Sequence, residues 1–191
     1  MTGVAGIDPS LTCTAYLFRN EATKKCTPCT IMPAKLRGPV RLAYLLDTLR
    51  RVLVMHDPGL VVVEGYAFGA RNGREAQGEW GGLIRWELFR LGIPYLVVPP
   101  TTLKLYAAGT GKAPDLITAV WKRWRYETSS DDIADAYALM RLGLELTTAV
   151  AKPTKGFDKI VAGCELYAVP GAVIRKELRA VPKNGALEGK R

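Results

Sequence analysis

Short apolar runs come first in the chain, and helical stripes follow. Val4–Ile7 is an apolar run that ends in a turn, Asp8-Pro9-Ser10. Thr12–Phe18 is rich in β-branched and aromatic residues and reads as a second strand. The polar stretch Arg19–Lys25 turns the chain, and Cys26–Met32 is a candidate third strand, so the opening is expected to form an antiparallel meander. Pro39 can open a helix, and the stripe Leu42, Leu45, Leu46, Leu49, Leu53 predicts one over Val40–Met55. Leu60–Val63 is unbroken and β-branched before it meets Glu64, the mark of a central parallel strand buried on both faces. A glycine-bearing loop, Gly65–Gly73, leads into a helix over Arg74–Leu91 that carries Trp80, Ile84, Leu88 and Leu91 and stops at Gly92. Pro94–Val98 is another apolar strand, and Thr101–Gly111 is a loop or short helix. Ala113–Arg125 is helical, with Ile117, Val120, Trp121 and Trp124 on one stripe and both tryptophans assigned to the core. Thr128-Ser129-Ser130 offers N-caps for a last helix over Asp131–Leu146.

A meander followed by alternating helices and strands implies an α/β protein. Its mixed five-stranded sheet, antiparallel meander plus parallel strands, is flanked by helices on both faces. The 191 residues suit one domain, assigned to 1–150. Past residue 150, Pro153, Pro170 and Pro182 interrupt short apolar pieces, and 151–191 is set apart as a basic extension of unassigned fold. No apolar run approaches the ~18 residues of a membrane span. The start MTGVAGIDPS lacks the pattern of a secretory signal, so a cytoplasmic location and no membrane partner are expected.

Charge narrows the choice of partner. The chain carries 27 Lys/Arg against 18 Asp/Glu, a net of +9. The extension alone has nine basic and four acidic residues. Such an excess points towards a polyanion, most often nucleic acid.

The scarce residue types exclude several chemistries. His56 is the only histidine, so a histidine-rich metal site within one chain is excluded. It precedes the strand that ends in Glu64, and five extended residues span roughly 16 Å, which places His56 at the opposite edge of the sheet from the acids below. Cys26-Thr-Pro-Cys29 has the spacing of half a zinc site or of a redox pair, but no second pair exists, and ordinary thiols are expected.

The acids are the remaining candidates for chemistry. Asp8 ends the first strand and Glu64 ends the buried parallel strand. If those strands are adjacent, both carboxylates lie at one sheet edge, where open α/β sheets commonly bind ligands. Asp132 and Asp135 are three apart and share a helix face that continues into Leu139 and Leu142, so Asp135 points towards the body of the protein. Each acid alone also suits a plain role: a turn for Asp8, a helix dipole for Asp131 and Asp132, an ion pair for Glu64. Together, in a basic chain, they suit a pair of hard divalent cations, magnesium or manganese, clamping a phosphodiester.

Gly6-Ile7-Asp8-Pro9-Ser10, Val61-Val62-Val63-Glu64 and Asp132-Ile133-Ala134-Asp135-Ala136-Tyr137-Ala138 resemble, in order and spacing, the acidic motifs of RuvC-type Holliday junction resolvases, in the RNase H-like superfamily. The resemblance spans roughly residues 3–146 and implies an RNase H-like fold. It further implies a homodimer that cuts two strands of a four-way DNA junction with Mg2+, for which Mn2+ can substitute. On it, Asp8, Glu64, Asp132 and Asp135 carry the metals, and Asp131 is left to helix capping. An aromatic residue soon after the Glu stacks at the junction in this family, a place open to Tyr66 or Phe68, with Arg71 and Arg74 next to them. Lys104 resembles a lysine that contacts phosphate near the metals, and Lys112 is a looser match. The helix from Arg74 carries Gly78, Gly81 and Gly82 beside Trp80, small residues that suit a close dimer contact. The competing functions are a broader branched-DNA nuclease, a junction-binding protein that does not cut, and an actin-like phosphotransferase. The last is disfavoured by the short chain and the lack of a second glycine-rich phosphate loop.

Overall fold

A computed structural model describes residues 3–65, 74–112, 115–148 and 154–167, with the backbone alone for 74–76. The meander is present as β1 (Gly3–Asp8), β2 (Thr14–Asn20) and β3 (Cys26–Ile31). Helix α1 (Gly38–His56) crosses over to β4 (Leu60–Glu64), which lies parallel to β1, and α2 (Arg74–Arg90) leads to β5 (Tyr95–Val98), parallel to β4. Then come α3 (Pro100–Ala108), α4 (Ile117–Trp124), α5 (Asp131–Thr147), α6 (Phe157–Ala162) and β6 (Glu165–Tyr167). The sheet order is β3-β2-β1-β4-β5-β6.

The sheet has six strands where five were expected. The sixth comes from the chain past residue 150: β6 pairs antiparallel with β5, Leu166 opposite Leu96, and Leu166 is buried. Its three residues are too few to show a period in sequence. At the other edge, Pro28 of β3 stands opposite Leu17.

Two cores sandwich the sheet. Ala5, Ile7, Tyr16, Val61 and Val63 face α1 and α2, where Leu45, Leu49, Leu53, Trp80, Ile84 and Leu88 are buried. Val4, Leu60 and Val62 face α3 to α6, packed on Ile133, Ala136, Met140 and Leu142 of α5. Two glycines bring α5 down onto the sheet. A Cβ at Gly6 of β1 would collide with the Ala136 carbonyl, and one at Gly143 would stand 2.7 Å from Val4 and Val62. Residue 136 therefore lies over residue 6 and residue 143 over residue 4, so α5 runs against β1 and its first turns sit above the β1 C-terminus.

Of the two alternatives for Thr101–Gly111 the helix holds, and two expectations change on α4. Residues 100–108 are helical, with a proline in the first turn where no N–H is needed. The helix expected from Ala113 starts at Ile117, whose N–H is held by the Asp115 carboxylate at 3.1 Å. On it Val120 is buried and Trp124 half-buried, but Trp121 is 41% exposed, so its assignment to the core is corrected. The Arg125 guanidinium lies 5.5 Å from the Trp121 ring in place of a core neighbour.

Candidate metal centre

Strand alternation decides where the acids point. Asp8 shares the β1 face of Val4 and Gly6, and Glu64 shares the β4 face of Leu60 and Val62. Both face α5. Because α5 begins over the end of β1, Asp135 meets them from above. One carboxylate oxygen from each of Asp8, Glu64 and Asp135 lies within 4.8 Å of the others, and among the described residues this is the only such group of potential metal ligands.

Burial governs the electrostatics. Asp8 is 8% exposed, and desolvation, then the Glu64 charge, push its carboxyl well above the usual carboxylate range. Glu64 is pushed up to about 7 by burial, against a hydrogen bond received from Asp8 and the attraction of Lys104. Asp135 rises to about 7 by burial and by the Asp8 charge, again opposed by Lys104. One buried and two half-buried carboxylates, with Lys104 the one lysine acting on them among the described residues, are under-compensated. A hard divalent cation answers that deficit, and an all-oxygen donor set suits it.

Asp132 stands at the rim. It is half-buried, its charge acts on Asp8, and it accepts a hydrogen bond from the Cys13 thiol, but it is not part of the three-acid group. Asp131 is exposed, and the α5 cap comes from Ser130, whose Oγ accepts from the Ile133 N–H at 3.3 Å. Lys104, on the first turns of α3, is brought to Glu64 and Asp135. Lys112 lies in the exposed turn after α3. Tyr66, Phe68 and Arg71 lie outside the described residues, and Arg74 opens α2 with its backbone alone described.

The structure adds groups that sequence reading missed. Cys13 follows Asp8 by five positions, and burial, then Asp132, push its thiol up to about 11. Thr14 and Trp80 join the same loop to α2, with the Trp80 indole N–H donating to Thr14 Oγ1 at 2.9 Å. His56 keeps away from the acids: its ring stacks on Phe18 at 4.6 Å, and Nδ1 lies 3.1 Å from Tyr16 Oη, in the opposite layer. The described cysteines are free thiols. No described helix is long and apolar enough to cross a membrane.

The strand order, the α5 crossing and the acids at the shared strand ends define an RNase H-like α/β fold. Comparison with known proteins narrows this further. The chain is 27% identical over 155 residues to a crossover junction endodeoxyribonuclease RuvC of Synechococcus sp. (strain CC9311), covering 73% of this chain and 96% of the relative. It is 28% identical over 151 residues to a RuvC of Prochlorococcus marinus, covering 74% of this chain and 97% of the relative. A solved structure of T. thermophilus RuvC in complex with Holliday junction substrate superposes with a TM-score of 0.60 at 22% identity, over 73% of this chain and 91% of that one, a likeness of fold. No family model matches the chain. The motif resemblance to RuvC-type resolvases is thus matched by overall sequence, and the RNase H-like fold is the one RuvC has.

Proposed function

We propose that the chain is a structure-selective endonuclease that hydrolyses phosphodiesters of four-way (Holliday) DNA junctions in the cytoplasm, acting as a homodimer with Mg2+, or Mn2+ in its place. The observation that carries this reading is the convergence of Asp8, Glu64 and Asp135 within 4.8 Å at the edge of a RuvC-like sheet. These three acids hold the metal, and Asp132 completes the set from the rim. A divalent cation bound there would neutralise the clustered charge and polarise the scissile phosphate. The chain itself does the positioning. Lys104, already beside Glu64 and Asp135, binds a phosphate oxygen as DNA enters. Lys112 extends the phosphate track. Tyr66 or Phe68 stacks on an unpaired base, and Arg71 and Arg74 grip the backbone beside it.

Residues 1–150 form the nuclease unit in this reading, and the basic 151–191 extension adds backbone contacts after contributing α6 and β6. The outward face of α2 supports the homodimer. Gly78 and Gly82 leave open space where a Cβ would stand, and Trp86 and Phe89 follow on the same face, 58% and 48% exposed with rings 6.1 Å apart. Exposed aromatic residues beside small ones suit close helix packing between two copies.

The decisive experiment is a cleavage panel of four-way, three-way, flap and duplex DNA with Mg2+, run on the wild type and on Asp8→Asn. The wild type should cut the four-way junction in preference, and the variant should bind it without cutting. Normal cutting by the variant sinks the reading. Equal cutting of all branched forms reduces it to a general branched-DNA nuclease, and binding without cutting by the wild type leaves a junction-binding protein.

A further inference from the structure

We propose that Trp80 is a positioning residue for the acidic centre, acting through Thr14 on the turn that follows Asp8. This rests on the reading of Asp8 as a metal ligand. Trp80 and Thr14 are both fully buried, Trp80 on α2 in the layer opposite α5. The indole N–H donates to Thr14 Oγ1 at 2.9 Å. The same hydroxyl donates to the Ser10 carbonyl at 2.6 Å and accepts the Ser10 N–H at 3.3 Å. One hydroxyl thus joins a helix of one layer to both backbone groups of the residue two positions after Asp8.

The turn has few other supports. Pro9 has no N–H to give. Ser10 Oγ takes the Thr12 N–H at 3.3 Å and the Cys13 N–H at 3.4 Å, which shapes the bend internally but does not fasten it to the rest of the protein. On the strand side Asp8 is fixed by its β1 ladder, opposite Ala15, the neighbour of Thr14. On the loop side Leu11 packs against the α1–α2 core and the Cys13 thiol donates to Asp132, but Ser10, two residues after Asp8, is held by the Thr14 hydroxyl, and Trp80 sets how that hydroxyl is oriented. A phenylalanine would fill much of the buried volume without holding it. The polar contact adds direction, and a metal ligand needs its carboxylate held in direction. A buried Trp N–H takes a partner in any case, but here the partner is the group that anchors the turn beside a site acid.

The link also reaches DNA recognition. Helix α2 follows residues 66–73, which carry Tyr66, Phe68 and Arg71. The hydrogen-bond chain therefore ties the helix that follows these residues to Ser10, in the turn that begins at Asp8.

The test is Mn2+ binding to the full chain without DNA, read from the electron paramagnetic resonance signal of free Mn2+. The proteins are the wild type, Trp80→Phe, Thr14→Val, Thr14→Ser and the Trp80→Phe/Thr14→Val double variant. Thr14→Val keeps the shape and removes the hydroxyl, whereas Thr14→Ser keeps the hydroxyl. Loss of a group that orients a ligand typically weakens metal binding at least ~10-fold, the effect expected for Thr14→Val and Trp80→Phe. The double variant should be no weaker than the weaker single one, because both break one chain. Thr14→Ser should bind as the wild type does. Unchanged affinity in Thr14→Val or in a folded Trp80→Phe, or equal losses in Thr14→Val and Thr14→Ser, overturns the proposal. Should Trp80→Phe fail to fold, the two Thr14 variants decide alone. A wild type that binds no Mn2+ sinks the metal-centre reading, and this inference with it.

Discussion

Glu87 is a buried carboxylate and the Asp8–Glu64–Asp135 group is buried to half-buried, yet of the two only Glu87 has its charge answered by the described residues. Its side chain is 1% exposed and is gripped from two helices, by Arg50 at 2.7 and 3.1 Å and by Arg90 at 2.7 and 3.1 Å. Hydrogen bonds from Arg90 and then Arg50 hold it down to about 2. Among the described residues the other group has Lys104 alone against three acids, and Glu64 and Asp135 stand near 7. The first arrangement fastens α1 to α2. The second leaves a deficit of positive charge that protons answer below about pH 7 and a divalent cation could answer above it. How an acid is compensated thus separates the structural carboxylate from the candidate functional ones better than burial does.

The largest effect is expected from neutralising the deficit itself. Glu64→Gln should abolish cleavage and, at pH 8 without metal, raise stability by on the order of 2 kcal/mol, because a costly buried charge is gone. Denaturant unfolding beside a cleavage assay checks both halves, and a variant both inactive and less stable would undo the contrast.

The two regions also respond to pH with opposite sign. The folded state keeps protons on Glu64 and Asp135 up to about 7, whereas ordinary Glu and Asp lose them near 4.5 and 3.8. Their contribution is therefore present at low pH and lost as pH rises from about 4 to about 7. Glu87 stays ionised down to about 2 against an ordinary 4.5, so its contribution is present above 4.5 and lost as pH falls towards 2. Stability measured in EDTA should decline on both sides of pH 4 to 5, and Mg2+ or Mn2+ should flatten the upper limb alone.

Glu87→Gln sharpens the same point. It should remove the acid limb and cost on the order of 2 kcal/mol, less than the full shift implies because both arginines face solvent. A thermal melt reads this, with the metal-dependent limb unchanged. The smallest effect is Lys104→Ala. It should weaken junction binding a few-fold and lower the salt dependence by about one phosphate contact, as read by titration at several salt concentrations.

Much of this site was legible because it depends on local pattern. A β-branched run ending in an acid, a strand-end Asp before Pro, and an Asp-x-x-Asp pair on a helix each sit within a few residues, and parallel pairing then fixes which edge they share. Features that depend on long-range pairing were not legible. The Trp80–Thr14 bond joins residues 66 positions apart. The Glu87 clamp draws on Arg50, 37 positions away. Strand β6 is a strand only because β5 offers it an edge. The Trp121 error has a similar source. A helical stripe reports which residues share a side, but not how far the neighbouring layer extends over it, and α4 presents Trp121 where that cover ends.

The two rims of the sheet restrict how copies of the molecule can join. On one side Pro28 interrupts the row of free donors along β3, and on the other β6 offers only three residues. Neither rim is a good template for recruiting a further strand, which disfavours continuous cross-chain ribbons and the fibrous growth they seed. Among the described residues, the outward face of α2 is then a better surface for joining two copies than either rim, and an isologous contact there closes at two.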